Sequence, residues 1–102
     1  MKITQVQELM KQLYFEKDSR RGLEKTTLWL VSEIGELADI IVKNSQPKKS
    51  HELELSNEIA DCFAWLLSIA NLLEIDLEKA IIQKYPSKCP RCEKNPCQCN
   101  EH

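Results

Sequence analysis

Glycine and long apolar runs are both scarce in this sequence, and each scarcity argues against a class of structure. The 102 residues include only two glycines, Gly22 and Gly35. Sandwich and dinucleotide-binding domains need glycine in their turns and phosphate-binding loops, so the composition favours an all-α fold. The longest apolar runs, such as residues 65–70, are far too short to span a bilayer. The length suits one domain.

An excess of one charge is also lacking, since 14 basic and 16 acidic residues leave a formal net charge of −2. This balance gives no general attraction for nucleic acid. Residues 1–17 carry charges throughout and contain no apolar block of the kind that an export signal needs. We therefore expect a cytoplasmic protein without a membrane or nucleic-acid partner.

Apolar residues recur at spacings of three and four, which predicts four helices. The predicted helices span residues 3–18, 25–44, 50–73 and 77–84. Thr4 and Gln7 have the spacing of a capping box for the first helix, and Asp76 is a suitable N-cap for the fourth. Residues 18–22 are predicted to form a polar connection. Residues 44–47, which include Pro47, are predicted to end the second helix.

The two long central helices are predicted to supply most of the core. Their inward residues should be Leu28, Val31, Ile34, Leu37, Ala38, Ile41 and Val42 on the second helix, and Leu55, Ile59, Phe63, Leu66, Leu67, Ala70 and Leu73 on the third. The result is a four-helix, bundle-like domain over residues 1–88, followed by a cysteine-rich tail over residues 89–102.

Two acidic pairs border these apolar stripes, Glu33 with Glu36 and Glu58 with Asp61. Residues three apart lie on the same face of a helix, so antiparallel packing would bring four carboxylates together. Such a cluster repels itself unless cations neutralise it, and Mg²⁺ is a hard ion that prefers oxygen ligands. The competing interpretation is a pair of solvated helix faces, which is the usual role of a single Glu-x-x-Glu. Asp39 continues the first row as an auxiliary ligand or as its solvated end.

Two further features bear on this site. A di-iron bundle would need Glu-x-x-His pairs, and neither His51 nor His102 follows a glutamate by three. Gly35 stands between the first two carboxylates, where it costs helix stability relative to alanine. We interpret it as a point of close approach for another helix or a ligand.

Residues 32–39 (SEIGELAD) followed by residues 58–61 (EIAD) resemble the Glu-x-x-Glu…Glu-x-x-Asp signature of the MazG-like all-α nucleoside triphosphate pyrophosphohydrolases. The resemblance covers roughly residues 3–88 and includes Trp29 and the segment 84–86 (KYP). Either acidic pair alone would be unspecific, whereas the two pairs in this helix order are characteristic.

The resemblance implies Mg²⁺-dependent cleavage between the α and β phosphates of a nucleoside triphosphate, with Mn²⁺ as a substitute ion. Glu33, Glu36, Glu58 and Asp61 match the family's metal ligands, and one of them would orient or deprotonate the attacking water. The products would be a monophosphate and pyrophosphate. The resemblance also implies a homodimer or homotetramer and a role in removing unwanted nucleotides from the pool.

Candidate substrate-binding residues follow from the same resemblance. Lys84 matches a basic position that could reach phosphate, and Lys88 lies close to it in sequence. Trp29 is a candidate for stacking on the base, and Phe15 is a weaker one, although aromatic residues at helical spacing more often belong to the core. A second set, Lys17 and Arg20, falls where relatives place groups that face the substrate.

Four cysteines in the tail, Cys89, Cys92, Cys97 and Cys99, form the second concentrated signal. Four thiols can surround one tetrahedral Zn²⁺, although the second half, Cys-x-Cys, is tighter than the usual knuckle. Two disulfides and an unstructured thiol tail remain the alternatives. Cys62, the fifth cysteine, is expected to pack as a small hydrophobic residue.

Two functional hypotheses remain. The first is a pyrophosphohydrolase, and the second is a non-catalytic helical oligomer that uses a zinc knuckle to bind a partner. The acidic quartet favours the enzyme, because a scaffold has no reason to place four carboxylates against its core.

Overall fold

Four helices build the fold of this protein, whose structure is a computed structural model that describes residues 1–43 and 52–100. They are α1 (Ile3–Arg21), α2 (Leu23–Lys43), α3 (Glu52–Leu72) and α4 (Leu77–Lys84). The described ranges contain no strand, and the predicted all-α class is confirmed. None of the described helices has the length and hydrophobicity needed to cross a membrane. The predicted break before Pro47, the third helix's expected start near residue 50, and His51 and His102 lie outside the described residues.

Helix α3 occupies the centre because both α1 and α2 pack along it. Glu33 of α2 lies near Glu58 of α3, and Trp29 stacks on Trp65. The residue number therefore falls along α2 as it rises along α3, so the two helices are antiparallel. This is the arrangement that the convergence of the acidic pairs requires.

The junction between α1 and α2 is shorter than predicted. Helix α1 continues to Arg21, and Gly22 alone separates it from α2, with a φ of 93° that favours glycine. The Gly22 N–H donates to the Asp18 carbonyl at 2.8 Å. Asp18 is buried, and its carboxylate accepts a hydrogen bond from Arg21 at 2.8 Å. Because this ion pair lies within the helix, polar residues that resemble a loop in sequence extend the helix instead.

The N-cap of α4 matches the prediction, whereas the N-terminal cap of α1 differs from it. The Asp76 side chain accepts from the Lys79 N–H at 3.0 Å, which confirms it as the N-cap of α4. At the start of α1 the predicted Thr4–Gln7 box is wrong, because the Lys2 N–H donates to Gln5 Oε1 at 2.7 Å.

The core within one chain is small. The described residues include only three buried apolar side chains, those of Leu55, Leu67 and Ala70. Most of the side chains that were expected to point inward are exposed: Leu28, Val31, Ile34, Ala38, Ile41 and Val42 on α2, Ile59, Phe63 and Leu66 on α3, and Leu73 just after α3. Helical spacing identifies an apolar stripe but not the surface that covers it. The radius of gyration is 16.1 Å, against about 13 Å for a compact domain of 100 residues.

Gly35 has no close neighbour within this chain. A Cβ placed there would meet nothing within 4 Å, so the expected close approach of another helix does not occur among the described residues. Gly35 instead lies on the same side of α2 as the exposed residues Leu28, Val31 and Val42, which are spaced from it by seven or four positions.

One amide side chain ties α1 to the turn between α3 and α4. Gln7 Nε2 donates to Asn71 Oδ1 at 3.1 Å and to the Ile75 carbonyl at 2.7 Å. Gln7 Oε1 accepts from the Leu77 N–H at 3.0 Å, and Asn71 Nδ2 donates to the Gln7 carbonyl at 3.1 Å. This network fixes the start of α4 against α1.

Replacing Gln7 with leucine should destabilise the fold by about 2 kcal/mol, because backbone groups of Ile75 and Leu77 lose their partners. Gln12→Leu on the exposed side of α1 is the matched control and should change the free energy of unfolding by much less. Urea denaturation at one fixed protein concentration measures both variants. Equal effects of the two substitutions would contradict this role for Gln7.

Candidate active site

Three carboxylates meet between α2 and α3. Oxygen atoms of Glu33, Glu36 and Glu58 all lie within 4.8 Å of one another. Glu33 and Glu36 share one face of α2 because they are three residues apart, and Glu58 joins them from the antiparallel α3. We refer to these three residues as the acidic cluster. It unites one member of the second predicted pair with both members of the first.

Asp61, the other member of the second pair, lies beside the acidic cluster rather than within it. Its charge is near enough to contribute to the raised pKa of Glu33. Asp61 also lines a cavity of about 290 Å³. It therefore connects the acidic cluster to the adjoining cavity.

Within residues 1–43 and 52–100, no cationic side chain forms an ion pair with the acidic cluster. Burial raises the pKa of Glu33 above its ordinary value, and the nearby carboxylates of Glu36 and Glu58 raise this pKa further. Glu58 Oε2 is buried without a hydrogen-bond partner among the described residues. Burial raises the pKa of the Cys62 thiol, and the nearby carboxylates, Glu33 first among them, raise this pKa further. A buried carboxylate oxygen without a donor is costly, and a bound divalent cation would relieve that cost.

The cavity beside Asp61 lies between α1 and α3 and has a mixed lining. It is lined by Tyr14, Lys17, Asp18, Arg21, Asp61, Ala64, Trp65 and Ser68. Lys17, which the resemblance suggested would face the substrate, is therefore a cavity residue. Arg20, the companion prediction, instead forms an exposed ion pair with Glu16 at 3.5 Å.

Trp65 contacts a cation and a second aromatic ring. The Arg21 guanidinium lies 4.9 Å from the centre of its ring, and Trp29 stacks on it with the ring centres 5.8 Å apart and the planes 7° from parallel. Trp29 thus uses one of its ring faces for Trp65, and stacking of a base on Trp29 stays a prediction. Sequence reasoning missed Arg21 and Trp65. A signal existed, since Trp65 follows Asp61 by four residues and Arg21 follows Lys17 by four.

The predicted basic and aromatic residues outside the cavity have other neighbours. Lys84 Nζ lies 5.6 Å from the ring of Tyr85, on a helix that packs against α1. Lys88 forms an ion pair with Glu93 at 3.2 Å. Phe15 has Lys11 5.4 Å from its ring centre. None of these contacts involves the acidic cluster, and a substrate role for Lys84, Lys88 and Phe15 stays a prediction.

The tail brings its four cysteines together. The sulfur atoms of Cys89, Cys92, Cys97 and Cys99 all lie within 4.8 Å of one another, and all five cysteines are free thiols. Backbone N–H groups of Cys92 and Arg91 lower the pKa of Cys89 to about 6. Hydrogen bonding to Cys97 raises the pKa of Cys99 to about 12.

The fold and the acidic cluster together define a class: an all-α domain in which an antiparallel helix pair presents carboxylates beside a cavity. Residues 21–93 match the MazG nucleotide pyrophosphohydrolase domain, and the chain belongs to this family. The match covers the acidic cluster, Asp61 and the first two tail cysteines. A comparison with curated proteins finds none that matches the chain.

Glu33→Gln should raise the melting temperature of the metal-free protein at pH 7, because it removes a carboxylate that the acidic cluster disfavours. The raised pKa of Glu33 means that the folded state binds more protons than the unfolded state, so wild-type stability falls as pH rises above the ordinary value of 4.5. Glu33→Gln should flatten that decline, and the expected difference is on the order of a few degrees.

Thermal unfolding followed by circular dichroism between pH 4 and pH 8 in EDTA tests this expectation. Glu16→Gln, on the exposed side of α1, is the control and should follow the wild-type curve. Added Mg²⁺ should stabilise the wild type more than Glu33→Gln. A steeper decline in Glu33→Gln than in the wild type would refute the electrostatic argument.

Proposed function

We propose that this protein is a Mg²⁺-dependent nucleoside triphosphate pyrophosphohydrolase that releases a nucleoside monophosphate and pyrophosphate. The observation that carries the proposal is the acidic cluster, in which oxygens of Glu33, Glu36 and Glu58 lie within 4.8 Å of one another in a chain of this family. A cytoplasmic role in clearing unwanted nucleotides is part of the proposal, since its substrates are intracellular metabolites.

The donor set fits the ion. Glu33, Glu36 and Glu58 would hold Mg²⁺ or Mn²⁺, with Asp61 beside them. Glu58 Oε2, which has no hydrogen-bond partner in the part of the chain that the structure describes, is an available ligand atom. When bound, the cation neutralises charge on the phosphate oxygens and lowers the pKa of a bound water. The side chains supply a closely spaced set of oxygens on two packed helices, so the ligands are assembled before substrate arrives.

The proposed hydrolysis breaks the P–O–P bridge between the α and β phosphates, and one water molecule supplies the oxygen and proton that the products gain. A carboxylate must orient this water and accept a proton from it. One of Glu33, Glu36, Glu58 and Asp61 would take this role.

The adjoining cavity is the proposed place for the rest of the substrate. Lys17 and Arg21 provide cationic groups in its lining, and Asp61 lies at its junction with the acidic cluster. Arg21 is held by Asp18 and by the ring of Trp65, so it is a pre-positioned cation. Stacking of the base on the outer face of Trp29, and phosphate contacts from Lys84 and Lys88, are further parts of the proposal.

We also propose that the working protein is a homo-oligomer, at least a dimer. The exposed side of α2 presents a row of apolar side chains, Leu28, Val31, Ile34, Ile41 and Val42. Patches of this kind on a small domain are usually covered by a partner. Gly35 lies within the row without a neighbour at its Cβ position, which lets a helix of a second copy approach closely.

Glu36→Gln and Glu58→Gln should each lower kcat/KM by about 100-fold or more, because either change weakens the metal site that stabilises developing phosphate charge. Asp39→Asn is the matched control. Asp39 lies three residues beyond Glu36, but it is exposed and forms an ion pair with Lys43 at 3.1 Å. Its activity should remain close to that of the wild type, which would exclude the auxiliary-ligand interpretation of this residue.

The assay is a panel of canonical and modified nucleoside triphosphates with Mg²⁺, in which pyrophosphate and the nucleotide product are both identified. EDTA should abolish the reaction. Orthophosphate as the product would refute the proposed bond cleavage. A folded, Mg²⁺-supplied protein that hydrolyses no member of the panel would favour the scaffold hypothesis.

Val31→Glu should weaken the oligomer, because it places a charge in the exposed row on α2. Ile82→Glu is the matched control on α4, since the exposed fractions of the two wild-type side chains are nearly equal at 60% and 62%. Size-exclusion chromatography with light scattering should show a lower mass for Val31→Glu and the wild-type mass for Ile82→Glu. A monomeric wild type would contradict the proposed assembly.

A further inference from the structure

The cysteine cluster of the tail is a site that the proposed hydrolysis does not use. The separation of its sulfur atoms is informative. The Sγ atoms of Cys89 and Cys99 are 3.9 Å apart, as are those of Cys92 and Cys97. A disulfide would bring two sulfurs to about 2.05 Å. Four sulfurs at Zn–S distances of about 2.3 Å form a tetrahedron with edges of about 3.8 Å. The observed spacing therefore matches a tetrahedral tetrathiolate site.

Backbone amides of the tail point at the sulfur atoms. The Arg91 N–H donates to Cys89 Sγ at 3.4 Å, and the Gln98 N–H donates to Cys92 Sγ at 3.3 Å. The Cys99 N–H donates to Cys97 Sγ at 3.3 Å. Hydrogen bonds of this kind favour thiolates, which are the form in which cysteine binds a metal. The hydrogen bond from the Cys99 N–H to Cys97 Sγ forms within the short Cys-x-Cys segment.

The backbone of the tail holds the two halves of the cysteine cluster in place. The Glu93 N–H donates to the Cys89 carbonyl at 2.8 Å, and the Cys89 N–H donates to the Lys94 carbonyl at 3.0 Å. Asn95 Nδ2 donates to the Ser87 carbonyl at 2.9 Å, which ties this turn to the segment after α4. Most side chains of the tail are exposed. Hydrophobic burial therefore contributes little to its stability, and a short segment of this kind usually needs a metal or a cross-link.

The charges around the cysteine cluster suit a tetrathiolate. Four thiolates with one Zn²⁺ carry a net charge of −2. Lys88, Arg91 and Lys94 are cationic and Glu93 is anionic, which gives the segment 88–94 a formal charge of +2 apart from its thiols. The segment thus offsets the charge of the proposed complex.

We propose that Cys89, Cys92, Cys97 and Cys99 bind one structural Zn²⁺ that fastens the tail to the end of α4. Each thiol releases its proton to solvent and donates a sulfur lone pair to the ion, so no oxidant is involved. With four protein ligands, the ion has no open position for water or substrate. The site therefore acts on the fold of the tail and takes no part in hydrolysis.

Metal analysis of the full-length protein, purified under reducing conditions with Zn²⁺ supplied, tests the site directly. We expect one zinc per chain, and tetrahedral thiolate absorption bands when Co²⁺ replaces it. Cys89→Ser and Cys97→Ser should each lose the zinc, whereas Cys62→Ser should keep it. Glu36→Gln should also keep it, which separates this site from the acidic cluster and from the proposed activity.

The effect on the fold gives an independent measurement. Removal of zinc by a strong chelator should speed tryptic cleavage after Lys88, Arg91 and Lys94 while the helical circular dichroism stays nearly constant. Reduced wild type that binds no zinc, or an intact mass lower by two hydrogens for each of two disulfides under these conditions, would overturn the proposal. Iron in place of zinc would overturn the assignment of the metal, and full zinc content in Cys89→Ser would overturn the ligand set.

Discussion

The antiparallel packing of α2 against α3 is the constraint on which the rest of this structure depends. It places Glu33 and Glu36 against Glu58, and it places Trp29 against Trp65 one to two turns away. The aromatic contact contributes attraction, whereas the carboxylates repel one another. The same interface therefore contains a stabilising aromatic contact and a repulsive acidic cluster. The acidic cluster has the chemistry of a cation site.

A second consequence concerns α1, whose inner side completes the cavity beside Asp61. Asp18 is buried because Arg21 neutralises it one turn later, and Arg21 in turn lies on the ring of Trp65. Removal of either charge would leave the other poorly compensated. Arg21, one of the two cations that line the cavity, is thus fixed by the same contacts that join α1 to α3. The proposed substrate cavity and the helix packing share residues here, whereas the tail cysteines form a separate local unit.

The small core and the exposed row on α2 have one physical origin. Helix α2 is apolar around much of its circumference, and α3 covers only one side of it. The remaining side, with Leu28, Val31 and Val42, has no cover within the described residues of the chain. A short chain can tolerate such a helix when a second surface buries it. A chain of this family can therefore bury few apolar side chains by itself when a second surface covers α2.

The sequence by itself determined the helical class and the acidic pairs, because these depend on composition and on spacings of three and four along one helix. The family came from the resemblance of residues 32–39 and 58–61 to the MazG signature, and the match over residues 21–93 confirms it. The sequence also identified Asp76 as a cap, since an N-cap acts within one turn. The tertiary structure alone decided that Asp61 stands beside the acidic cluster, that Arg21 and Trp65 line the cavity, and that Val31 is exposed. These outcomes depend on the rotation of one helix against another. A periodic pattern predicts which face of a helix a residue occupies. Only the packing of the helices decides whether that face contacts another helix, a cavity or solvent.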